Sequence, residues 1–172
     1  PQMGSVRPNV FKKPDRIADS WGRIQLEQFD LKLEDIRTKR LDFIPFSKTG
    51  YNIQEADIIV AGGRGMGSKE NFDKLYELAD AIGGVVGATR PLVEKGWIEL
   101  PYQVGQTGKT VSPKLYLAFG ISGAIQHVSG ISGADTIVAI NNDPNAEIFQ
   151  HANYGIVGDC MEVLNDMLAH LK

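Results

Sequence analysis

The sequence predicts an α/β fold with three layers, α/β/α, around a mostly parallel sheet. Three observations point to it. Short apolar runs recur from residue 57 onward, stretches of helical period stand between them, and glycine-rich turns join the two. Strands that alternate with helices in this way pair in parallel and carry helices on both faces. Such sheets take ligands outside the carboxyl ends of their strands.

Residues 1–50 precede this pattern and differ from it. They hold few glycines and many charges, among them Lys12-Lys13-Pro14-Asp15 and Arg37-Thr-Lys-Arg40. Phe29, Leu31 and Leu33 alternate with Asp30, Lys32 and Glu34, which is strand period. Leu41-Asp-Phe-Ile-Pro-Phe46 is a second apolar stretch, confined by Pro45 to an edge or a strand end. Two or three strands without a covering helix are marginal alone. The expectation is an extended N-terminal β arm over 1–50, the remnant of a preceding domain, followed by one domain over 51–172. Pro1 is no initiator, and residues 1–8 are neither a signal h-region nor a transit peptide, so a fragment of a longer chain is expected.

From Asn52 the βα units begin. Asp57-Ile-Ile-Val-Ala61 reads as a strand buried on both faces. Gly62-Gly-Arg-Gly-Met-Gly67 follows, with Ser68 as an N-cap and Glu70 in the first turn. Phe72, Leu75, Ala79 and Ile82 fall at helical spacing, predicting an amphipathic helix over 69–82 that ends at Gly83-Gly84. Gly84-Val-Val-Gly-Ala88 is the next strand, and Pro91 suits the first turn of a short helix. Residues 96–113 are irregular and polar. Leu115–Phe119 is a strand, Gly120-Ile-Ser-Gly123 turns into a helix expected from about Ser122, and Thr136–Ile140 is a further strand. Tyr154–Val157 is the last strand. Asp159 caps a final helix with the stripe Cys160, Val163, Leu164, Met167, Leu168 and Leu171.

Composition narrows the function. The chain of 172 residues is 42% hydrophobic, enough for a real core. Its 18 Lys plus Arg against 21 Asp plus Glu give a net charge of −3, with no electrostatic reason for nucleic acid or an anionic membrane as partner. No apolar run approaches the roughly 20 residues that span a bilayer, so no membrane insertion is expected. A single cysteine excludes an internal disulfide and fits a reducing compartment: the cytoplasm, or the mitochondrial matrix in a eukaryote.

Several loops carry chemistry. Gly62–Gly67 fails the dinucleotide fingerprint, because Ser68 and Glu70 stand where its last glycine or alanine belongs, and no P-loop is present. A tight turn before a helix is the even alternative there, although Arg64 between glycines suits an anionic ligand. The Gly120–Gly123 turn is better, since free N–H groups at a helix N-terminus favour phosphate. Ser122 adds a hydroxyl, and Gln126 and His127 can hydrogen-bond a heterocycle. Gln103-Val-Gly-Gln-Thr-Gly108 is either a surface loop or a wrap around a polar ring. Thr89 and Arg90 precede Pro91. Asn141 and Asp159 follow the last two strands, as turn residue or N-cap unless they meet a ligand. The three histidines and Cys160 lack metal-ligand spacing, and no Gly-x-Ser-x-Gly elbow supports a nucleophile.

At these loops the chain resembles the C-terminal FAD-binding domain of the electron transfer flavoprotein alpha subunit. The resemblance rests on Gly62-Gly-Arg-Gly65, Gly87-Ala-Thr-Arg-Pro91, Gln103–Lys109, Leu115–His127, Ile137–Asn141 and Tyr154–Val157, in order and at the family's spacing from about residue 56 onward. Val6–Phe11 also looks like the segment linking two domains in microbial members. The resemblance implies a Rossmann-like domain and a non-covalent FAD. Arg64 and Thr89 would contact the cofactor, and Arg90 would lie over the isoalloxazine ring. Thr107 would bond near N5, with Val104, Gly105 and Gln106 shaping the wall. His127 would face N1 and O2. Ser122, Gly123, Ala124, Ile125 and Gln126 would hold the ribityl–pyrophosphate, and Asn141, Asp159 and Cys160 would reach the ADP portion. Thr89 stands where many members have serine. No catalytic residue and no general base is apparent, which suits an electron carrier over an enzyme acting alone.

The resemblance further implies a heterodimer with an electron transfer flavoprotein beta subunit. Electrons would come from acyl-CoA dehydrogenases or similar flavoenzymes of fatty acid oxidation and pass to a quinone oxidoreductase. Two alternatives stand beside this: the alpha subunit of an electron-bifurcating flavoprotein with NADH oxidised at the beta subunit, and an NAD(H)- or CoA-binding enzyme domain of the same architecture.

Overall fold

A computed structural model describes residues 3–6, 15–18, 21–28, 30, 32, 34, 36–42 and 52–171. The chain divides into two compact units, one of Lys12–Gly50 and one of Pro1–Phe11 with Tyr51–Lys172. The described residues up to 42 include no strand. The alternating Phe29, Leu31 and Leu33, and the run from Phe43 to Phe46, lie outside the described residues.

The second unit is a five-stranded sheet: β1 (Ile58–Gly62), β2 (Val85–Ala88), β3 (Leu115–Phe119), β4 (Thr136–Asn141) and β5 (Tyr154–Val157). Every pairing is parallel, in the order β2-β1-β3-β4-β5. Parallel neighbours require crossovers, and the intervening segments supply them. They contain α1 (Lys69–Ile82), α2 (Arg90–Glu94) and α3 (Ile125–Val128), and α4 (Cys160–His170) closes the chain. The order reverses direction between β1 and β3, and a crevice opens at such a reversal.

α1 starts and stops where its sequence says it must. The Ser68 hydroxyl accepts from Asn71 N, and Gly83, with φ +69°, takes the left-handed cap that ends the helix. Its inward stripe buries Phe72, Leu75, Leu78 and Ala79 against β1, β2 and α4. Burying Phe72 alone contributes roughly 1.5–3 kcal/mol. α4 joins the same layer through Cys160 and Leu164, capped by Asp159, which accepts from Met161 N and Glu162 N. Leu171, placed by periodicity on the apolar stripe, is 48% exposed because the helix ends one residue earlier.

The opposite layer is made differently. Ile53, Val104, Val111, Ile121, Ile131 and Ile148 bury Ile59, Ala61, Tyr116, Ala118 and Ala139 of the sheet, and they come from loops, turns and 3₁₀ turns rather than from long helices. The sequence predicts a helix from about Ser122, but helical hydrogen bonding begins at Ile125. The reason is local. Gly120 and Gly123 have φ of +61° and +93°, values no right-handed helix contains. The Ser122 carbonyl also accepts from Ile148 N rather than from the next helical turn. Among the described residues no helix is long and apolar enough to cross a membrane.

Candidate functional site

Five loops leave the carboxyl ends of the strands, and backbone hydrogen bonds extend the ladder into them. Thr89 N donates to Gly62 O, Gly63 N to Phe119 O, Gly120 N to Ile140 O and Gly158 N to Asn141 O. At the reversal point, the loops after β1 and β3 meet backbone against backbone. A Cβ on Gly63 would fall 2.3 Å from Gly120 O, and one on Gly120 would fall 2.7 Å from Gly65 Cα. Side chains at these positions would separate the two loops, so the glycines set how close the floor of the crevice can be.

Above that floor lies a cleft of about 830 Å³. The β1 loop contributes Gly63, Arg64 and Gly65 to it, and the β2 loop Thr89, Arg90, Pro91 and Glu94. From the irregular segment come Gln103, Val104, Gly105 and Thr107; from the β3 loop and α3 come Gly120, Ile121, Ser122, Ala124, Gln126 and His127. Asn141 at the end of β4 completes the lining. The structure thus brings Arg64, Thr89, Arg90, Val104, Gly105, Thr107, Ser122, Ala124, Gln126, His127 and Asn141 to one cleft. Gln106, Gly123, Ile125, Asp159 and Cys160 are not among its lining residues.

The two polar segments noted in the sequence are joined directly. Gln106 N donates to Gln126 O at 2.7 Å, and Gly105, with φ +138°, lets the backbones of the two segments approach. The amide of buried Gln103 donates to Thr107 Oγ1 at 3.0 Å. An oxygen that already accepts leaves its own hydrogen to be given away, so Thr107 is set up as a donor on the cleft wall. Sequence reasoning reaches Gln103 only as part of the 103–108 loop. The signal for it was the i, i+4 pairing of an amide with a hydroxyl across glycines.

Charge at the cleft comes from Arg64 and Arg90. Arg64 is exposed and meets no carboxylate among the described residues, whereas Arg90 Nε bonds Glu94 Oε1 at 2.7 Å in an exposed pair. Both guanidiniums can turn to an anionic ligand: the exposed ion pair holds Arg90 by no more than about 1 kcal/mol, and Arg64 has no such pair among the described residues.

His127 is the buried polar centre. Its Nδ1 lies 3.1 Å from Val104 O and its Nε2 lies 3.0 Å from the Tyr116 hydroxyl. Burial lowers its pKa from 6.5 to about 4, partly offset by the Val104 carbonyl. Both ring nitrogens are therefore engaged within the protein. Donation to a ligand, as the resemblance implies, requires one of these bonds to be given up. Sequence reasoning places Tyr116 only as a strand residue, although a tyrosine in a fully buried strand needs a partner for its hydroxyl.

Asn141 is likewise turned inward, donating to Ile121 O and accepting from Asp143 N. It braces the turn after β3. Cys160 Sγ points to Ile140 O at 3.5 Å, and burial with the neighbouring Asp159 charge raises its pKa, so the thiol stays protonated. Among the described residues no group of three His, Cys, Asp or Glu side chains could hold a metal ion.

The residues fit a large anionic cofactor of the FAD type. An open cleft near the upper end of the usual 300–1,000 Å³ range suits an elongated ligand. Its donor set is two guanidiniums, three hydroxyls and exposed backbone at glycine turns, which matches phosphate, polyol and ring carbonyl groups.

Residues 52–132 match the family described as the electron transfer flavoprotein FAD-binding domain. An electron transfer flavoprotein subunit alpha of Thermoanaerobacterium thermosaccharolyticum is 52% identical over 172 residues, covering all of this chain and 52% of that protein. Protein FixB of Clostridium saccharobutylicum is 53% identical over 174 residues, covering the whole chain and 51% of the relative. Protein FixB of Azotobacter vinelandii is 54% identical, over 95% of this chain and 46% of its own. The chain thus spans about half the length of the curated relatives it matches.

Proposed function

The chain belongs to the electron transfer flavoprotein alpha family, and from that premise we propose that its cleft holds FAD and that it carries electrons between other proteins. The observation that carries the reading is the convergence of Arg64, Thr89, Arg90, Thr107, Ser122 and Gln126 on one cleft at the reversal of strand order. Bound there, FAD would supply one- and two-electron redox chemistry.

The protein's own residues do the rest. Arg64 and Arg90 bring positive charge to the cleft, which would attract the pyrophosphate of a bound FAD and favour electron density on its ring. Thr107, oriented by Gln103, would offer its hydrogen to an acceptor on the ring. The 103–108 loop, pinned to α3 through Gln106 N and Gln126 O, would help to exclude water from a bound ring. None of these groups is arranged to abstract a proton from a substrate, which agrees with a carrier.

Gln106, Gly123, Ile125, Asp159 and Cys160 act indirectly in this reading. Gly123 shapes the turn that leads into α3, Asp159 caps α4 behind the sheet's carboxyl edge, and the other three serve through backbone or packing. The full protein would pair with a beta subunit in the cytoplasm. It would take electrons from flavoenzymes such as acyl-CoA dehydrogenases and deliver them to a quinone oxidoreductase.

The test is reconstitution. The full-length protein, refolded with a cognate beta subunit and FAD, should retain stoichiometric flavin through gel filtration and show a perturbed flavin absorption band. Retention of NADH or CoA with exclusion of FAD would overturn the reading.

A further inference from the structure

Gln103 is only 4% exposed, yet it belongs to the cleft wall. Its amide makes a single hydrogen bond among the described residues, from Nε2 to Thr107 Oγ1 at 3.0 Å, and the Thr107 hydroxyl makes no other. The oxygen and nitrogen ends of an amide have nearly the same shape. Half a turn about the last side-chain bond therefore exchanges donor for acceptor without moving the chain. We propose that Gln103 is a positioning residue that works in two directions: its amide donates to Thr107 while the facing ring nitrogen is an acceptor, and turns over to accept from Thr107 once that nitrogen carries a hydrogen. The proposal rests on the FAD reading, because a flavin ring has such a nitrogen.

The backbone beneath the amide is fixed. Gln103 N donates to Leu100 O, Gln103 O accepts from Lys109 N at 2.7 Å, and Val104 N donates to Ala88 O. The stem is confined too, since a Cβ on Gly108 would fall 2.9 Å from Gln103 Cγ. Only the terminal amide is left to respond. With Thr107 as its one partner, turning it breaks one bond and remakes the same bond in reverse.

The hydrogens balance only if the amide turns. A hydroxyl donates once and accepts twice. With the ring nitrogen as acceptor, Thr107 gives its hydrogen to the ring and takes one from Gln103. With a hydrogen on the ring nitrogen, a fixed amide would leave Thr107 accepting from both sides, and its own hydrogen would have no acceptor in the pair. Turned over, the Gln103 oxygen takes that hydrogen, and both contacts are satisfied in either state. The electrons that reduce the ring come from the protein that donates them, and the ring hydrogen from a solvent proton. The turn itself makes and breaks no covalent bond.

Infrared spectroscopy can follow the amide. The full-length protein with its beta subunit and FAD, labelled with carbon-13 at the glutamine side-chain carbonyl, would be reduced electrochemically and read as a difference spectrum. A glutamine carbonyl band should move to lower frequency on reduction, as its oxygen gains the Thr107 hydrogen. That shift should be lost in Gln103→Met and Thr107→Val and kept in Thr107→Ser. The flavin midpoint potential supplies the sign. Gln103→Met strands the Thr107 hydrogen only in the reduced state, so affinity for reduced FAD should fall about fivefold relative to oxidised FAD. A fixed donor predicts the reverse, because its removal frees the Thr107 oxygen for the ring hydrogen. A wild-type spectrum without the shift overturns the proposal, as does a potential that rises or stays unchanged in Gln103→Met. Should Gln103→Met fail to fold, survival of the shift in Thr107→Val overturns it equally. Absence of retained flavin would overturn the cofactor reading and this proposal with it, whereas retained flavin without the shift overturns this proposal alone.

Discussion

Keeping an imidazole neutral inside a protein makes stability depend on pH. The unfolded chain takes up the His127 proton near pH 6.5 and the folded chain only near 4, so between those values the unfolded state holds more protons. Stability should be undiminished above about pH 6.5, fall as the pH drops toward 4, and level off below that. The full effect is on the order of 3 kcal/mol. His127→Gln can still donate to Val104 and accept from Tyr116 without titrating. Thermal melts of the two proteins should therefore diverge from parallel behaviour only in that window, and parallel curves throughout would refute the assignment. Thr107→Val leaves the Gln103 amide without its acceptor, so it should cost about 1–3 kcal/mol in chemical denaturation and weaken flavin retention. Arg90→Ala removes an exposed ion pair, so its stability should change by less than about 1 kcal/mol. A fall of tenfold or more in flavin affinity would then report a ligand contact, and an unchanged affinity would remove Arg90 from the site.

The elements divide by how local their instructions are. α1 was legible to the residue, because Ser68, the apolar spacing and Gly83 act within one stretch of chain. The β-strands were legible within a residue for the same reason: a short apolar run between glycine turns has few other uses. The start of α3 was misjudged because nothing in Gly120-Ile-Ser-Gly123 reveals that two glycines take positive φ. That follows only from the approach of Gly65 on one side and Ile148 on the other. The candidate site was legible as a set of loops, since each polar loop follows a strand, but the inward turn of His127 and Asn141 was not. A hydrogen bond to a carbonyl 23 residues away, as from His127 to Val104, leaves no period in the sequence. Two glycines test this distinction. Gly120→Ala meets Gly65 and Met66 backbone within 3 Å, and should both destabilise the fold and distort the cleft. Gly83→Ala meets nothing within 4 Å, so only the left-handed strain of roughly 1–2 kcal/mol remains and ligand binding should be untouched. Equal effects of the two on flavin affinity would contradict the interlocked floor.

For the molecule as a whole, the described buried clusters draw only on residues from Ile53 onward. A chain beginning at Tyr51 should therefore unfold cooperatively by calorimetry, with a midpoint within a few degrees of the parent. A broad or absent transition would assign residues 1–50 a share of the core. The sheet itself is asymmetric. All four residues of β5 are exposed, with Tyr154 at 66% and Val157 at 59%, and among the described residues β5 pairs only with β4. Every other strand buries at least half of its residues. An apolar sheet margin that no described residue pairs with is a template for any extended chain that meets it. For an experimenter this sets a practical ceiling: without a covering protein, the isolated domain should turn turbid with rising concentration well before it loses its helical signal. A lysine at position 156 (Ile156→Lys), placed on that margin, should raise the ceiling without altering the melt.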